Sequence, residues 1–139
     1  MTIKSPLFGD GSVRYEVLAF SEGVANQPTT TGGGGGAGKA VFQDISFMKS
    51  LEKNSPLFER ACATGAILDE VLFSFVNSNE KPYYTVLVKD VFVTSYQLSS
   101  GGDRPTESLS LNFAKIQVKT FDERGKMLNI FEFDLRTGK

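Results

Sequence analysis

One segment of the chain, residues 83–97, constrains the fold more than any other. Its sequence, YYTVLVKDVFVTSYQ, is rich in β-branched and aromatic residues and carries apolar side chains on both faces. A long strand that is apolar on both faces is buried on both sides, in a closed barrel or against a neighbouring subunit. The segment therefore predicts a fold built around long β-strands.

Shorter segments of the same character complete a mainly β chain. The other predicted strands are residues 13–20, 39–51, 67–75, 107–121 and 127–135. Within 107–121 the apolar positions change phase between Phe113 and Ile116, which predicts a bulge that bends the strand. A turn at 123–126 joins the last two strands. We predict a two-sheet antiparallel β-barrel or sandwich with one short flanking α-helix.

The one predicted helix begins at the sequence SPLFERACAT. Ser55 can cap the first turn, Pro56 suits the first helical position, and Gly65 can end the helix in a left-handed conformation. One apolar stripe is formed by Leu57, Phe58, Ala61 and Cys62. A helix of about ten residues is marginal alone, so we expect it to pack on a sheet.

Composition limits the classes of partner and chemistry. The 139 residues suit a single domain spanning 1–139, and the formal net charge of -1 argues against nucleic acid or an anionic membrane as partner. The absence of His removes the commonest general base and metal ligand, and one Cys cannot form an intrachain disulfide. We expect no enzyme activity, no metal and no cofactor.

The sequence predicts neither a membrane span nor a signal peptide. No stretch approaches the ~20 apolar residues of a membrane span, so no membrane insertion is expected. Residues 1–13 hold no apolar run typical of a signal peptide. The chain is expected to fold in the cytoplasm, and to leave it, if at all, by a route that reads no N-terminal signal.

A glycine-rich segment, QPTTTGGGGGAG at residues 27–38, is predicted to be a flexible loop because glycine loses the most backbone entropy on ordering. With Lys39 it matches the first part of a phosphate-binding loop. Ala40 stands where that motif needs a hydroxyl, and a strand rather than a helix is predicted to follow. Nucleotide binding is therefore not expected.

Two further candidate chemistries have simpler interpretations. Cys62 lies on the apolar stripe of the helix, where packing is expected rather than a reactive thiol. A glycosidase pair would need two carboxylates brought together. The candidates alternate along predicted strands, where solvated faces are the default: Asp44, Asp69, Glu70 and Asp90.

Ordered blocks of sequence resemble the haemolysin-coregulated protein family. They are GGGAGK at 34–39, FQD at 42–44, SPL at 55–57, ACATG at 61–65, VFVTSY at 91–96 and PTESLSLNFAK at 105–115. The blocks follow the family's order from about Val13 to the C-terminus, which makes the match more specific than any single motif.

The resemblance implies a structural subunit of the inner tube of a bacterial type VI secretion system. Homohexameric rings of such proteins stack into a tube, with a spike protein at its tip, effector proteins in its lumen and a contractile sheath around it. It implies assembly in the bacterial cytoplasm, then secretion to the extracellular space or a target cell. Two alternatives stay open: a phage-tail-tube-like protein, or a monomeric β-domain that acts as a binding module.

The resemblance also implies roles for particular residues. Ser21 matches a lumen position that influences cargo binding, and Glu22 stands where the family often has Trp. The glycine loop matches an extended loop that reaches the adjacent subunit or ring, here Gly32, Gly33, Gly34, Gly35, Gly36, Ala37, Gly38 and Lys39. Residues 1–12 look too short for the family's first strand and polar loop, so that edge is expected to be reorganised or unpaired.

Overall fold

The structure, a computed structural model, describes residues 1–29 and 36–139. The strands are β1 (Thr2–Ser5), β2 (Gly9–Asp10), β3 (Ala19–Ser21), β4 (Val24–Thr29), β5 (Gly36–Phe42), β6 (Ile45–Ser50), β7 (Ile67–Val76), β8 (Pro82–Ser99), β9 (Thr106–Asn112), β10 (Lys115–Phe121) and β11 (Met127–Asp134). The helix α1 spans Ser55–Thr64. One large antiparallel sheet and a separate β4–β5 pair confirm the predicted mainly β fold.

Strand β8, with 18 residues, organises the large sheet. Strand β7 pairs along one of its sides, while β10 and then β9 pair along the other. Strand β1 continues the sheet beyond β7, β6 and β3 continue it beyond β9, and β11 pairs with β10. The predicted long strand is therefore present, but in one chain it is not buried on both faces, because Tyr83, Phe92 and Leu98 are 39–50% exposed.

A sharp corner crosses three strands of this sheet at one level. In β7, in β8 and across the junction of β9 and β10, two buried residues lie three positions apart instead of two, namely Leu68 and Val71, Val88 and Val91, and Phe113 and Ile116. Between them Asp90 adopts a left-handed backbone with φ of 54°, and Arg136 lies 3.4 Å from its carboxylate. The predicted bend after Phe113 is thus present, but it divides residues 107–121 into two strands, β9 and β10.

The core fills the space inside the folded sheet and beneath α1. Its buried members are aliphatic and aromatic side chains from six of the strands, from α1, from the residues between β1 and β3, and from Phe113 between β9 and β10. Beneath the helix, the rings of Phe8, Tyr15 and Phe58 meet edge to face at centroid distances of 4.8–6.3 Å. Such edge contacts suit the ring quadrupoles and fix the helix against the sheet.

Most of the features predicted for the ends of α1 are confirmed. Gly65 ends it with φ of 67°, and a proline stands within its first turn. The N-cap residue is Asn54 rather than the predicted Ser55, whose hydroxyl instead accepts the Glu52 N–H and donates to Glu107. Ser55 is the first residue of the helix, and its hydroxyl is directed toward the Glu52 N–H and the buried Glu107 carboxylate rather than toward the amides of the first turn. No helix among the described residues is long and apolar enough to cross a membrane.

The N-terminal region differs from the prediction. Residues 1–12 supply β1, which pairs with β7, and the short β2. The strand predicted at 13–20 is reduced to β3, because Tyr15 turns its ring into the core while its backbone N–H bonds to the Met1 carbonyl at 2.8 Å. Side-chain burial therefore overrides local strand propensity here.

The strand predicted at 39–51 is two strands. Chain direction changes at Gln43 and Asp44, so that β5 pairs with β4 while β6 joins the large sheet. The predicted loop at 27–38 is likewise shorter, since Gln27–Thr29 and Gly36–Gly38 belong to strands. The remainder of that loop lies outside the described residues. We call the β4–β5 pair the hairpin arm.

The hairpin arm depends on a glycine at position 38. A Cβ there would lie 1.4 Å from the Gln27 carbonyl oxygen, and Asn26 bonds to both the N–H and the carbonyl of Gly38. We expect Gly38→Ala to open the arm, because the added methyl group would overlap the Gln27 backbone. Local backbone strain costs about 1–3 kcal/mol, so the hydrogen-exchange rates of the β4 and β5 amides should rise about tenfold or more. Gly101→Ala is the control, because its Cβ meets nothing within 4 Å.

Candidate functional site

One outward face of the sheet carries an array of small polar side chains. Four serines lie directly opposite one another across four strands, in the order Ser21, Ser46, Ser110 and Ser95. The neighbouring rows on the same face hold Ala19, Met48, Ser108 and Gln97, and then Ser50, Thr106 and Ser99. The serine row spans about 14 Å at ordinary strand spacing. We call this surface, formed by β3, β6, β9 and the end of β8, the hydroxyl face.

A β-bulge shapes one end of the hydroxyl face. The pairing of β8 with β9 shifts between Val93 and Ser95, so Thr94 and Ser95 both hydrogen-bond to the hydroxyl of Ser110. Thr94 also donates to Asp44 at 2.8 Å. A bulge can bring two successive side chains to one face, which a regular strand cannot do. It therefore concentrates hydroxyl groups beside a carboxylate.

The structure brings Ser21 into this face but leaves Glu22 at its border. Ser21 is exposed at the end of β3, opposite Ser46. Glu22 is half-buried in the two-residue link between β3 and β4. The next residue, Gly23, accepts a hydrogen bond from the Gln43 N–H, which places this link beside the segment that holds Asp44. Both predicted lumen residues thus lie at one side of the hydroxyl face.

A buried polar network lies behind the hydroxyl face. Lys49 Nζ is 2.6 Å from Glu107 Oε1, and neither side chain is more than 1% exposed. The Glu107 carboxylate also accepts hydrogen bonds from Ser55 at 2.9 Å and from Tyr96 at 2.6 Å. The Lys49 ammonium also contacts Glu52 at 3.1 Å. The network therefore ties β6, β8 and β9 to the start of α1.

Burial and the bond to Glu107 raise the pKa of Tyr96, so its phenol stays protonated and donates. Burial likewise raises the pKa of Tyr15, which accepts a hydrogen bond from Asn54. Among the described residues no buried side-chain polar atom lacks a partner. Lys49 shares the inward side of β6 with Ile45 and Phe47, a spacing visible in the sequence. Its partner lies 58 positions away, so no local pattern could have identified it.

The candidate enzymatic carboxylates are dispersed. Glu70 bridges Lys4 and Lys89, Asp90 contacts Arg136, and Asp69 is exposed on β7. In the described part of the chain no three His, Cys, Asp or Glu residues gather as a metal site would require. Cys62 is half-buried and packs against the core, as predicted. These residues serve the fold and its solvated surface.

A comparison with protein families identifies the chain. The profile described as "Type VI secretion system effector, Hcp" matches residues 12–120. The chain belongs to the Hcp family. This confirms the resemblance to haemolysin-coregulated proteins that the ordered sequence blocks carry.

Individual relatives are consistent with Hcp membership. Protein hcp1 of Pseudomonas aeruginosa is 38% identical over 85 residues, which cover 58% of this chain and 52% of that protein. The chain thus spans about half the length of the curated relative it matches. Hcp1 from Salmonella typhimurium has a TM-score of 0.76 at 19% identity, covering 99% of this chain and 91% of that one. A type VI secretion system effector from Yersinia pestis has a TM-score of 0.71 at 22% identity, covering 86% and 83%. These structures share the fold.

The glycine loop of this Hcp protein is placed only in part. Gly36, Ala37, Gly38 and Lys39 belong to β5 of the hairpin arm, which pairs with β4 alone among the described strands. Gly32, Gly33, Gly34 and Gly35 lie outside the described residues. Lys39 is exposed, opposite Gln27 on β4. Whether this loop contacts a neighbouring subunit stays a prediction.

Proposed function

We propose that this chain is a structural subunit of the inner tube of a type VI secretion system. In this proposal homohexameric rings stack into a tube that carries and protects effector proteins in its lumen. Family membership supports the secretion role. The observation that carries the assembly role is strand β11, an apolar strand at a free edge. No enzyme activity and no cofactor belong to the proposal.

Strand β11 has the character of a subunit contact. Among the described strands it pairs only with β10, so its other edge is free. Four of its large apolar side chains are 40–64% exposed, namely Met127, Leu128, Ile130 and Phe131. Free strand edges and apolar surfaces of this kind associate with another chain. In a head-to-tail contact β11 would meet a different surface of the next copy, and such a contact gives a ring where the rotation closes and an open filament where it does not.

The hydroxyl face suits the wall of a lumen. Its three rows contain no charged side chain, only hydroxyl groups, one amide, one alanine and one methionine. Such a surface hydrogen-bonds to many partners without the desolvation cost of buried charges. We propose that Ser21 faces cargo there. Glu22 adds a carboxylate at the border where the family often has Trp.

The proposal includes further assembly steps. The hairpin arm and the glycine loop from Gly32 to Lys39 contact the adjacent subunit or ring, where a neighbour covers the backbone of the loop. A spike protein binds the tube tip and a contractile sheath surrounds the tube. The chain is assembled in the bacterial cytoplasm and then secreted. We propose that residues 1–139 form one domain of this tube subunit.

Ser21→Arg tests the lumen assignment. We expect rings of unchanged mass, because Ser21 is exposed and an arginine there displaces no core atom. Effector retention in a pull-down should fall about tenfold, because six long cationic side chains would occupy the lumen wall. Ser78→Arg, the same substitution at an exposed serine in the turn between β7 and β8, is the control. Unchanged retention in well-formed Ser21→Arg rings would remove Ser21 from the cargo surface.

The alternative is a phage-tail-tube-like protein, or a monomeric domain that recruits a partner through a free strand edge. The same β11 edge would then bind a different chain by adding a strand. Ring formation by the purified protein argues against the monomeric module. Secretion that depends on an intact contractile system separates a secretion tube from a tail protein.

A further inference from the structure

The hydroxyl groups at one end of the hydroxyl face form a chain with a fixed direction. A carboxylate accepts hydrogen bonds only, so Thr94 must give its single proton to Asp44 Oδ2, at 2.8 Å. The bond between Thr94 and Ser110, at 2.7 Å, is then donated by Ser110. The bond between Ser110 and Ser95 is in turn donated by Ser95. All three protons therefore point toward Asp44.

This direction determines what the surface offers to solvent. Each hydroxyl has two acceptor lone pairs and one proton. With the protons used inside the chain, Ser95 keeps two free lone pairs, while Thr94 and Ser110 keep one each. Asn112 donates its amide N–H to Asp44 Oδ1 at 3.1 Å, so its carbonyl oxygen stays available. The cluster presents acceptors and few donors.

The charge of the cluster favours a cation. Asp44 is exposed and takes part in no ion pair formed within the described residues, whereas Glu70, Asp90 and Asp134 each contact a basic side chain. Its carboxylate polarises the hydroxyl chain, and successive hydrogen bonds strengthen one another. A guanidinium or ammonium group, which carries donors only, is complementary to this arrangement.

We propose that Asp44, Thr94, Ser95, Ser110 and Asn112 form a binding site for one arginine or lysine side chain of an effector. The identity of the occupant rests on the proposed function, because the tube proposal places this site on the lumen wall, where effectors lie. The bulge at Thr94 builds the site by placing two successive hydroxyl side chains against Ser110. Effectors with a basic residue at their contact surface would be retained through it.

A titration of the full chain with a small cationic probe tests the site. N-acetyl-argininamide is added while the threonine methyl signals, including that of Thr94, are followed by NMR. N-acetyl-citrullinamide serves as the neutral isostere. We expect a saturable shift of the Thr94 signal with the arginine probe. The citrulline probe should bind at least about fivefold more weakly, because about 1 kcal/mol of exposed ion pairing corresponds to that factor in affinity.

Two matched variants localise the effect. Asp44→Asn should weaken binding of the arginine probe about fivefold, whereas Asp69→Asn, which removes an exposed carboxylate from β7, should change it less than twofold. Unchanged signals of the other threonines report that Asp44→Asn remains folded. Equal binding of the two probes, or unaltered binding by Asp44→Asn, would overturn the site.

The titration is independent of the tube proposal, because the probe needs neither a ring nor an effector. A failed titration on protein that forms rings removes the cation site and leaves the tube function standing. A positive titration on protein that stays monomeric supports the site and removes its proposed occupant.

Discussion

Lys49→Met is expected to lower the free energy of unfolding by about 3–5 kcal/mol, the usual cost of breaking a buried ion pair by removing one partner. The substitution leaves Glu107, which is 0% exposed, with its charge uncompensated inside the protein. Tyr96 and Ser55 would still donate to that carboxylate, but neither carries a positive charge. Urea unfolding followed by circular dichroism measures the loss.

Lys4→Met provides the matched control. The Lys4 side chain is 60% exposed and lies 3.6 Å from Glu70, so the same substitution removes only a surface ion pair. Its cost should be about 0–1 kcal/mol. Replacing both Lys49 and Glu107 by apolar residues should recover part of the stability, because no lone charge is then buried. Equal effects of Lys49→Met and Lys4→Met would contradict the account of the network.

Substituting Leu128 and Phe131 by glutamate is expected to abolish rings and leave a folded monomer. These side chains are 64% and 48% exposed in one chain, so the change costs little in the fold itself. In a closed ring each would be desolvated against the next copy, and central apolar contacts contribute about 2 kcal/mol or more each. The change is repeated at every interface. Light scattering and circular dichroism report mass and fold separately.

Val76→Glu is the control for the ring variant. Val76 is 51% exposed and lies at the end of β7, which does not pair with β11. Rings should persist in this variant. If the β11 variant also kept its rings, the ring contact would have to lie elsewhere on the surface.

Local sequence patterns predicted correctly those elements whose structure depends mainly on their own residues. Residues 67–75, the long segment 83–97 and the turn at 123–126 contain alternating or turn-forming residues, and each has the predicted structure. The predicted phase change after Phe113 is present as the corner. The segment 13–20 failed because Tyr15 is drawn into the core, which strand propensity does not describe.

The candidate site could not be predicted as well from the sequence, because its residues come together only through strand pairing. Serine is common in loops and on solvated faces, so Ser46, Ser95 and Ser110 gave no signal until strand pairing aligned them with Ser21. The bulge at Thr94 depends on register between β8 and β9, which no local pattern encodes. Family resemblance proposed Ser21, and only the topology identified the side chains beside it.

The solution mass of the purified chain tests the central claim most directly. Light scattering, with negative-stain images of the same fraction, should give six times the 15.2 kDa of one chain and rings with an open centre. The exposed β11 surface predicts this association at micromolar concentration and its loss in the Leu128 and Phe131 glutamate variant. A mass of 15.2 kDa that persists at high concentration would contradict the assignment as a tube subunit.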